Sequence, residues 1–270
     1  MDVDPAELDL AHERDALAVT VRAAGALALE KFQRPLKTWV KEGSSPVSEA
    51  DVAVDEFLRE RLAGARARFG WRSEESGDAR AIPPAKLVWI VDPIDGTRSY
   101  IAGRPDWVIS AALVAEDRPL VAALFAPVTD ELFLAARGAG ATRNGAPIRT
   151  VPGSGLEAAR TAGPKRFIEA LGALAPRIIA MPRLGSLALR LARLAQGELD
   201  IVFAGGSSHD WDLAAADLLV HEAGGAITSL AGRSVVYNQP APVHGPLVAA
   251  GAERHAALVA LTRNWVAELQ

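Results

Sequence analysis

Leu87-Val88-Trp89-Ile90-Val91-Asp92-Pro93-Ile94-Asp95-Gly96-Thr97 is the stretch on which the reading of this chain turns. Its unbroken apolar opening has the length and β-branched content of a strand buried on both faces. An acid follows, a proline stops the run, and a second acid comes three residues after the first, directly before a glycine. Such a turn can gather two carboxylates and the intervening Ile94 carbonyl about one point. Hard oxygen donors of this kind suit Mg²⁺ or Mn²⁺, which take few protein ligands and keep several waters. Gly96-Thr97 then opens a short helix whose first N–H groups lack intrahelical acceptors and suit phosphate oxygens. Taken alone, the same letters also describe an ordinary Asp-Gly turn with solvated acids, which is the commoner case.

Working outward toward the C-terminus, apolar segments 107–115, 119–126 and 131–136 follow at close spacing, with a turn around Asp117-Arg118-Pro119. Asn144-Gly145 is a hairpin signal after them. This predicts an antiparallel meander. On the N-terminal side, residues 6–31 carry Leu8, Ala16, Val19, Ala24 and Leu27 at roughly helical spacing. The polar stretch 37–46, broken by Gly43-Ser44-Ser45-Pro46, is expected to be a mobile loop. Ser48-Glu49-Ala50-Asp51 has the form of a capping box before a second helix bearing Val54, Phe57, Leu58 and Leu62. Residues 151–164, with Pro152-Gly153-Ser154-Gly155 and Gly163-Pro164, mark a lobe boundary. Beyond it the pattern predicts a helix at 186–196, a strand at 199–203, a helix at 212–223, a strand near 226–230 and a helix at 253–268. The expected organisation is an α+β lobe over 1–150 and an α/β lobe over 151–270, intimately packed.

Composition narrows the function. The 270 residues are 50% hydrophobic and 23% charged, an ordinary globular balance. There is no cysteine, which excludes disulfide scaffolds, thiolate metal sites and cysteine nucleophiles. A net charge of −4 without a basic block gives no expectation of a nucleic-acid polymer as partner. No apolar run approaches the roughly 18 residues that a bilayer requires. The acidic start, Met1-Asp2-Val3-Asp4-Pro5, lacks the features of a secretory signal, so a cytoplasmic location is expected.

Two further acidic segments matter. Trp211-Asp212 opens a helix with the small residues Ala214-Ala215-Ala216, closed by Glu222-Ala223-Gly224-Gly225. Alone, Asp212 is also a charge that suits a helix N-terminus. Glu74-Glu75-Ser76-Gly77 lies shortly before the apolar strand and, alone, reads as a solvated loop.

Taken together, in order and separation, these segments resemble the inositol monophosphatase family of Mg²⁺-dependent, lithium-sensitive phosphatases. Asp92-Pro93-Ile94-Asp95-Gly96-Thr97 approximates its first motif, and Trp211-Asp212 through Gly225 its second. Glu74-Glu75-Ser76 is similar to its upstream acidic motif, and Pro46-Val47-Ser48-Glu49-Ala50-Asp51 to its P-V-T-x-A-D segment. The resemblance implies a layered αβαβα sandwich of the sugar-phosphatase type and a homodimer. It also implies two or three Mg²⁺ ions, with Mn²⁺ as an alternative. Glu74, Asp92 and the Ile94 carbonyl would hold the first metal; Asp92, Asp95 and Asp212 would hold the second. Glu74 with Thr97 would orient and deprotonate the attacking water, and the Gly96 and Thr97 N–H groups would bind phosphate. Asp51 would stand behind the metals as a support or weak third-site ligand. Two divalent ions offset the repulsion between a phosphate dianion and hydroxide, so no covalent phosphoenzyme is required. The i+3 spacing of the acids also differs from the i+2 pair of haloacid-dehalogenase-type phosphatases.

The substrate is less legible. Inositol phosphatases of this family commonly carry a Glu seven residues before the second-motif Asp; here that position is Gly205. Its loss would open the pocket and make room for a nucleotide such as 3'-phosphoadenosine 5'-phosphate. Gly185-Ser186 matches the family's pair near the substrate, and His209 is a candidate to line the pocket. His12, His221, His244 and His255 show no ligand spacing, and Trp39, Trp71, Trp107 and Trp265 read as core or interface. The expected activity is release of phosphate from a small phosphorylated metabolite, inositol monophosphate or a similar polyol phosphate. Histidinol phosphate and fructose 1,6-bisphosphate are lesser alternatives, and a transcription-associated interaction protein is the non-enzyme one.

Overall fold

In the computed structural model, which describes residues 7–41, 46–65, 69–75 and 85–265, alternate residues of the central strands face two different layers. The first described helix, α1 (Leu10–Lys31), is followed by a hairpin of β1 (Thr38–Val40) and β2 (Pro46–Ser48) and by α2 (Glu49–Ala65). A seven-stranded sheet then forms in chain order. Its strands are β3 (Gly70–Ser73), β4 (Leu87–Asp95), β5 (Val108–Ala115), β6 (Arg118–Ala126), β7 (Glu131–Ala136), β8 (Ala141–Arg143) and β9 (Ala146–Pro147). The short helix α3 (Thr97–Ile101) lies between β4 and β5. Only the β3–β4 pair in this sheet is parallel.

The remaining elements begin with β10 (Arg160–Ala162), α4 (Lys165–Leu174), β11 (Ile179–Ala180) and α5 (Leu187–Ala195). They continue with β12 (Ile201–Ala204), β13 (Ser208–His209), α6 (Asp210–Glu222), β14 (Gly225–Ser229), β15 (Val243–His244), β16 (Leu247–Gly251) and α7 (Ala252–Thr262). Five of the strands make a second, mixed sheet in the order β11-β10-β12-β16-β14, and β13 pairs with β15. The stretch 151–164, read from sequence as a boundary, contains β10.

Strand periodicity explains the layering. Leu87, Trp89 and Val91 of β4 pack in one cluster with Leu17 and Val21 of α1 and Val54 and Leu58 of α2. Val88 and Ile90 pack in another with α5 and α6. In the second sheet, Val202 and Ala204 face that same helix pair, whereas Ile201 and Phe203 meet Phe167 of α4 and Leu258 of α7. A period of two therefore supplies both faces of both sheets, and the order of layers is αβαβα. Small residues line the middle layer: Ala112 and Ala122 of the first sheet share a buried cluster with Ala214, Ala215 and Ala216 of α6. Each large side chain buried in these layers, such as Trp89 or Phe203, contributes about 1.5–3 kcal/mol.

Three expectations are corrected. The buried face of α1 is Leu17, Val21, Ala24 and Ala28; Ala16 is exposed, and Val19 is 73% exposed. The helix seats on the sheet at Gly25, where an added Cβ would lie 2.4 Å from Phe125 Cδ1. That close approach, not hydrophobicity alone, sets its rotation. Part of the stretch expected as a loop is strand: Trp39 pairs with Val47 and Val40 with Pro46, while residues 42–45 lie outside the described residues. Pro93 does not end β4, which runs on to Asp95 through a register shift. Ser76 and Gly77, and the last residues expected in the C-terminal helix, also lie outside the described residues. Among the described residues, no helix is long and apolar enough to cross a membrane.

Candidate metal centre

The register shift in β4 explains why two acids three residues apart can act together. Asp92 pairs with Ser110 and Asp95 with Val108, so three steps on β4 oppose two on β5. In a regular strand, side chains at i and i+3 point to opposite faces. One extra residue reverses that parity and returns Asp95 to the side of Asp92. Pro93, which has no N–H to lose from the ladder, sits within the irregularity. Because Asp92 continues the series of Val88 and Ile90, that side is the one packed against α5 and α6. From α6 comes Asp212, in its first turn. Asp92, Asp95 and Asp212 each present an oxygen, and these oxygens all lie within 4.8 Å of one another.

Each acid is fixed by hydrogen bonds, Asp92 from within β4, Asp95 from the start of α5 and Asp212 from the residue before α6. The Ile94 N–H donates to Asp92 Oδ1 at 3.0 Å. The Ser186 hydroxyl and the Ala188 N–H both donate to Asp95 Oδ2 at 2.6 Å. The His209 N–H donates to Asp212 Oδ2 at 2.7 Å, so the carboxylate that caps α6 is also the one delivered to the cluster. Asp51, in the first turn of α2, accepts from the Ser48 N–H at 2.8 Å, the half of the capping box that the sequence reading expects, and also from the Ser48 hydroxyl at 2.6 Å. Its other oxygen accepts from the Thr97 hydroxyl at 3.1 Å. That hydroxyl also lies 3.0 Å from the Ile94 carbonyl; its single proton serves one acceptor at a time.

Glu74 follows β3, with its N–H on the Val91 carbonyl at 3.2 Å. Lys41 reaches it from beyond the β1 strand, donating to the Glu74 carbonyl at 3.1 Å and pairing with the Glu75 carboxylate. Glu74 is not one of the three mutually close acids, but among neighbouring charges it exerts the largest effect on Asp92.

This concentration of carboxylates is costly without cations. Burial, and then the charges of Glu74, Asp95, Asp212 and Asp51, push Asp92 well above the carboxylate range. Burial and the Asp95 charge do the same to Asp212. Glu74 is pushed up to about 7, mainly by burial and then by Glu75, Asp51 and Asp95, against the lowering effect of Lys41. Asp95 is raised by burial despite its hydrogen bonds. Buried like charges of this kind are stable when paired with metal ions. The donor set is all oxygen and fits Mg²⁺.

The other sequence candidates fall around this cluster. Gly96 caps α3 with φ +101°, and an added Cβ would lie 2.9 Å from the Asp106 carbonyl oxygen. Only glycine suits that conformation and that approach. Ser186 is fully buried, and its hydroxyl is spent on Asp95 and on the Leu189 N–H at 2.9 Å. Its reach is therefore to the acid rather than to an open cleft. Gly185 is exposed and lines the large cleft beside the cluster, as does Gly205. His209 stacks on Trp211 with ring centroids 4.7 Å apart, and its Nδ1 lies 3.9 Å from Asp212. Burial lowers its pKa. His221, His244 and His255 are tied to Asp217, Asp210 and Thr228. Trp71, Trp107 and Trp265 are buried as expected, whereas Trp39 is 46% exposed.

Two residues that sequence reasoning missed organise the site. Asp210, fully buried at the start of α6, accepts from Arg72 Nη1 at 3.0 Å, the Asn238 N–H at 2.9 Å and His244 Nε2 at 2.8 Å. Arg72 belongs to β3, which leads to Glu74. The pair thus ties the element bearing Glu74 to the helix bearing Asp212. No sequence spacing signals a contact between residues 138 positions apart.

Comparison with known proteins agrees with this architecture. The model of the inositol monophosphatase family matches residues 9–266. An inositol-1-monophosphatase of Rhizobium meliloti is 34% identical over 206 residues, covering 73% of this chain and 77% of that protein. A Nus factor SuhB of Xylella fastidiosa is 32% identical over 222 residues, covering 78% and 79%. The solved structure of a Thermotoga maritima IMPase superposes with a TM-score of 0.82 at 26% identity, covering 95% of this chain and 98% of that one. With the αβαβα layers and the gathered acids already in place, the chain belongs to the inositol monophosphatase family of phosphoric monoester hydrolases.

Proposed function

We propose that this chain uses Mg²⁺ to hydrolyse the phosphomonoester of a small polyol, with inositol monophosphate as the reference substrate. The observation that carries the proposal is the convergence of Asp92, Asp95 and Asp212 within 4.8 Å. These acids would hold the ions, with Glu74 and the Ile94 carbonyl beside them. When bound, the ions supply positive charge to offset the phosphate dianion and to acidify a water.

The chain's own groups do the rest. Asp51 accepts the Thr97 proton, which leaves the hydroxyl oxygen of Thr97 to accept a hydrogen bond from the attacking water. Glu74 receives the water's proton at a carboxylate oxygen. The Gly96 and Thr97 N–H groups, at the start of α3, donate to phosphate oxygens. Ser186 and Ala188 keep Asp95 in place.

A second substrate reading is favoured by Gly205, which leaves a cleft of about 670 Å³ beside the acids without a carboxylate at that position. Such a mouth admits a nucleotide, as in a 3'(2'),5'-bisphosphate nucleotidase acting on 3'-phosphoadenosine 5'-phosphate. The relative named Nus factor SuhB supports a third reading, an interaction protein of the transcription machinery. The assembled acids favour retained catalysis over it. The proposal also includes two or three Mg²⁺ ions, with Mn²⁺ as an alternative, inhibition by Li⁺, a homodimer and a cytoplasmic location.

The deciding experiment measures phosphate release with Mg²⁺ from inositol 1-phosphate, 3'-phosphoadenosine 5'-phosphate, histidinol phosphate and fructose 1,6-bisphosphate. The proposal expects turnover of inositol 1-phosphate, abolished by a chelator. Preference for the nucleotide supports the second reading. No release from any of them, with recovery of polymerase factors in a pull-down, supports the third.

A further inference from the structure

The cleft beside the acid cluster is lined in part by Lys165, Glu169, Arg183, Gly185, Arg190 and Gly205. None of the metal-centre acids lines it, but it abuts them. Gly185 directly precedes Ser186, whose hydroxyl holds Asp95, and the Arg190 charge acts on Asp95. Its charged lining comprises three cations and one carboxylate. Lys165 and Glu169 face each other at 3.5 Å and largely cancel, which leaves Arg183 and Arg190.

Arg190 is unusual for a buried cation. It is 7% exposed, and its Nη2 donates to the Leu184 carbonyl at 2.8 Å. Its Nε is buried with no hydrogen-bond partner, and among the described residues no carboxylate pairs with it within 4 Å. A buried guanidinium without an anion is expensive. The acid that offsets it most, Asp95, is already engaged by Ser186 and Ala188 and is committed to the metal cluster. Arg183, exposed on the same cleft, has no ion-pair partner among the described residues. At Gly205 an added Cβ would have ordinary space, its nearest neighbour being Pro164 Cγ at 3.6 Å. The cleft therefore has positive charge, volume and no filling side chain.

We propose that this cleft is a subsite for a second anionic group of the substrate, a phosphate or a carboxylate, bound by Arg190 and Arg183. The proposal rests on the phosphomonoesterase reading for what occupies the acid cluster. It narrows the substrate class from neutral polyol phosphates to polyol phosphates that carry a second anion.

The test uses equilibrium binding of uncleavable phosphonate analogues of three compounds on one carbon skeleton, to the full chain with Mg²⁺. The compounds are glucitol 6-phosphate, gluconate 6-phosphate and glucitol 1,6-bisphosphate. Phosphate release from the parent esters is followed in parallel. A charge-assisted contact predicts that at least one of the two dianionic-plus-anion analogues binds about tenfold tighter than the glucitol analogue. Which of them is favoured separates a carboxylate from a phosphate as the second group. Arg183→Gln and Arg190→Gln should each cut the preference several-fold. Gly205→Glu, which sets a carboxylate into the cleft, should abolish or reverse it even where Arg190→Gln fails to fold. Equal binding of all three analogues overturns the subsite, as does a preference that survives both Arg183→Gln and Gly205→Glu. A preference that responds to these variants, without phosphate release from any ester, supports the subsite and removes the reading as a polyol phosphate hydrolase. Release without preference removes the subsite and leaves the hydrolase. Binding of none overturns both.

Discussion

The acid cluster and the cleft that abuts it, the floor and the mouth of the proposed site, are built on opposite principles. In the floor, burial raises the pKa of Asp92, Asp95 and Asp212, repulsion by neighbouring acids adds to it at Asp92 and Asp212, and backbone or hydroxyl donors fix each. The mouth holds Arg183, Arg190 and Lys165 around Gly205, with fewer fixed contacts and open volume. Acids that need cations make the floor suited to one chemistry. On the subsite proposed above, a cationic rim lacking a side chain at Gly205 makes the mouth the place where substrates are told apart. The contrast teaches that the acids are placed by strand and helix ends buried in the fold, whereas the proposed selectivity rests on single residues at the rim.

The sharpest way to break this contrast is to remove one acid from the floor. Asp92→Asn should lower Mg²⁺-dependent phosphate release by about a thousandfold or more, roughly 4 kcal/mol of barrier. The same substitution should raise the melting temperature of the chelator-treated protein at pH 8, because it deletes a buried charge. Loss of activity together with loss of the fold would show that Asp92 is structural instead.

A second prediction concerns how the floor is assembled. Arg72→Met leaves Asp210 buried without its cation and should destabilise the protein by about 3–5 kcal/mol, read from denaturant unfolding. A cost below 1 kcal/mol would mean that His244 and the Asn238 N–H hold Asp210 unaided.

A smaller effect separates floor from mouth by pH. The folded protein holds Glu74 at about 7 against an ordinary 4.5, so between those values it binds more protons than the unfolded chain. Stability without metal should therefore fall as pH rises through that window. Below about pH 4.5 this penalty is absent, and above about 7 it is fully present. Mg²⁺ should raise the melting temperature more at pH 8 than at pH 5.5. Arg183 is not among the charges named as acting on Glu74, so Arg183→Gln should leave this pH dependence unchanged. A metal-free melting temperature that stays flat or rises across the window would contradict the electrostatic account of the floor.

Much of the floor was legible before the structure. The run from Leu87 to Thr97 announced a buried strand ending in paired oxygens, and Asp212 at a helix start was readable from local pattern. The meander from 107 onward and the Asn144-Gly145 hairpin were equally local. What stayed hidden depended on tertiary geometry. The extra residue that brings Asp95 to the side of Asp92 is a property of pairing with β5, not of the letters alone. The rotation of α1 is decided by Gly25 against Phe125. Gly185-Ser186 matches the family's pair near the substrate, and no local pattern signals that the Ser186 hydroxyl donates to Asp95. Arg72, Asp210 and Arg190 carry no motif, and their importance appears only when distant elements meet.

The central claim is that three acids from two elements, β4 and α6, share divalent cations. Calorimetric titration of the metal-free protein with Mg²⁺, beside Asp212→Asn under the same conditions, tests it most directly. The account predicts saturable binding to the unaltered protein and at least a tenfold weaker affinity, or one site fewer, in Asp212→Asn. Equal affinity and stoichiometry for the two proteins would contradict it.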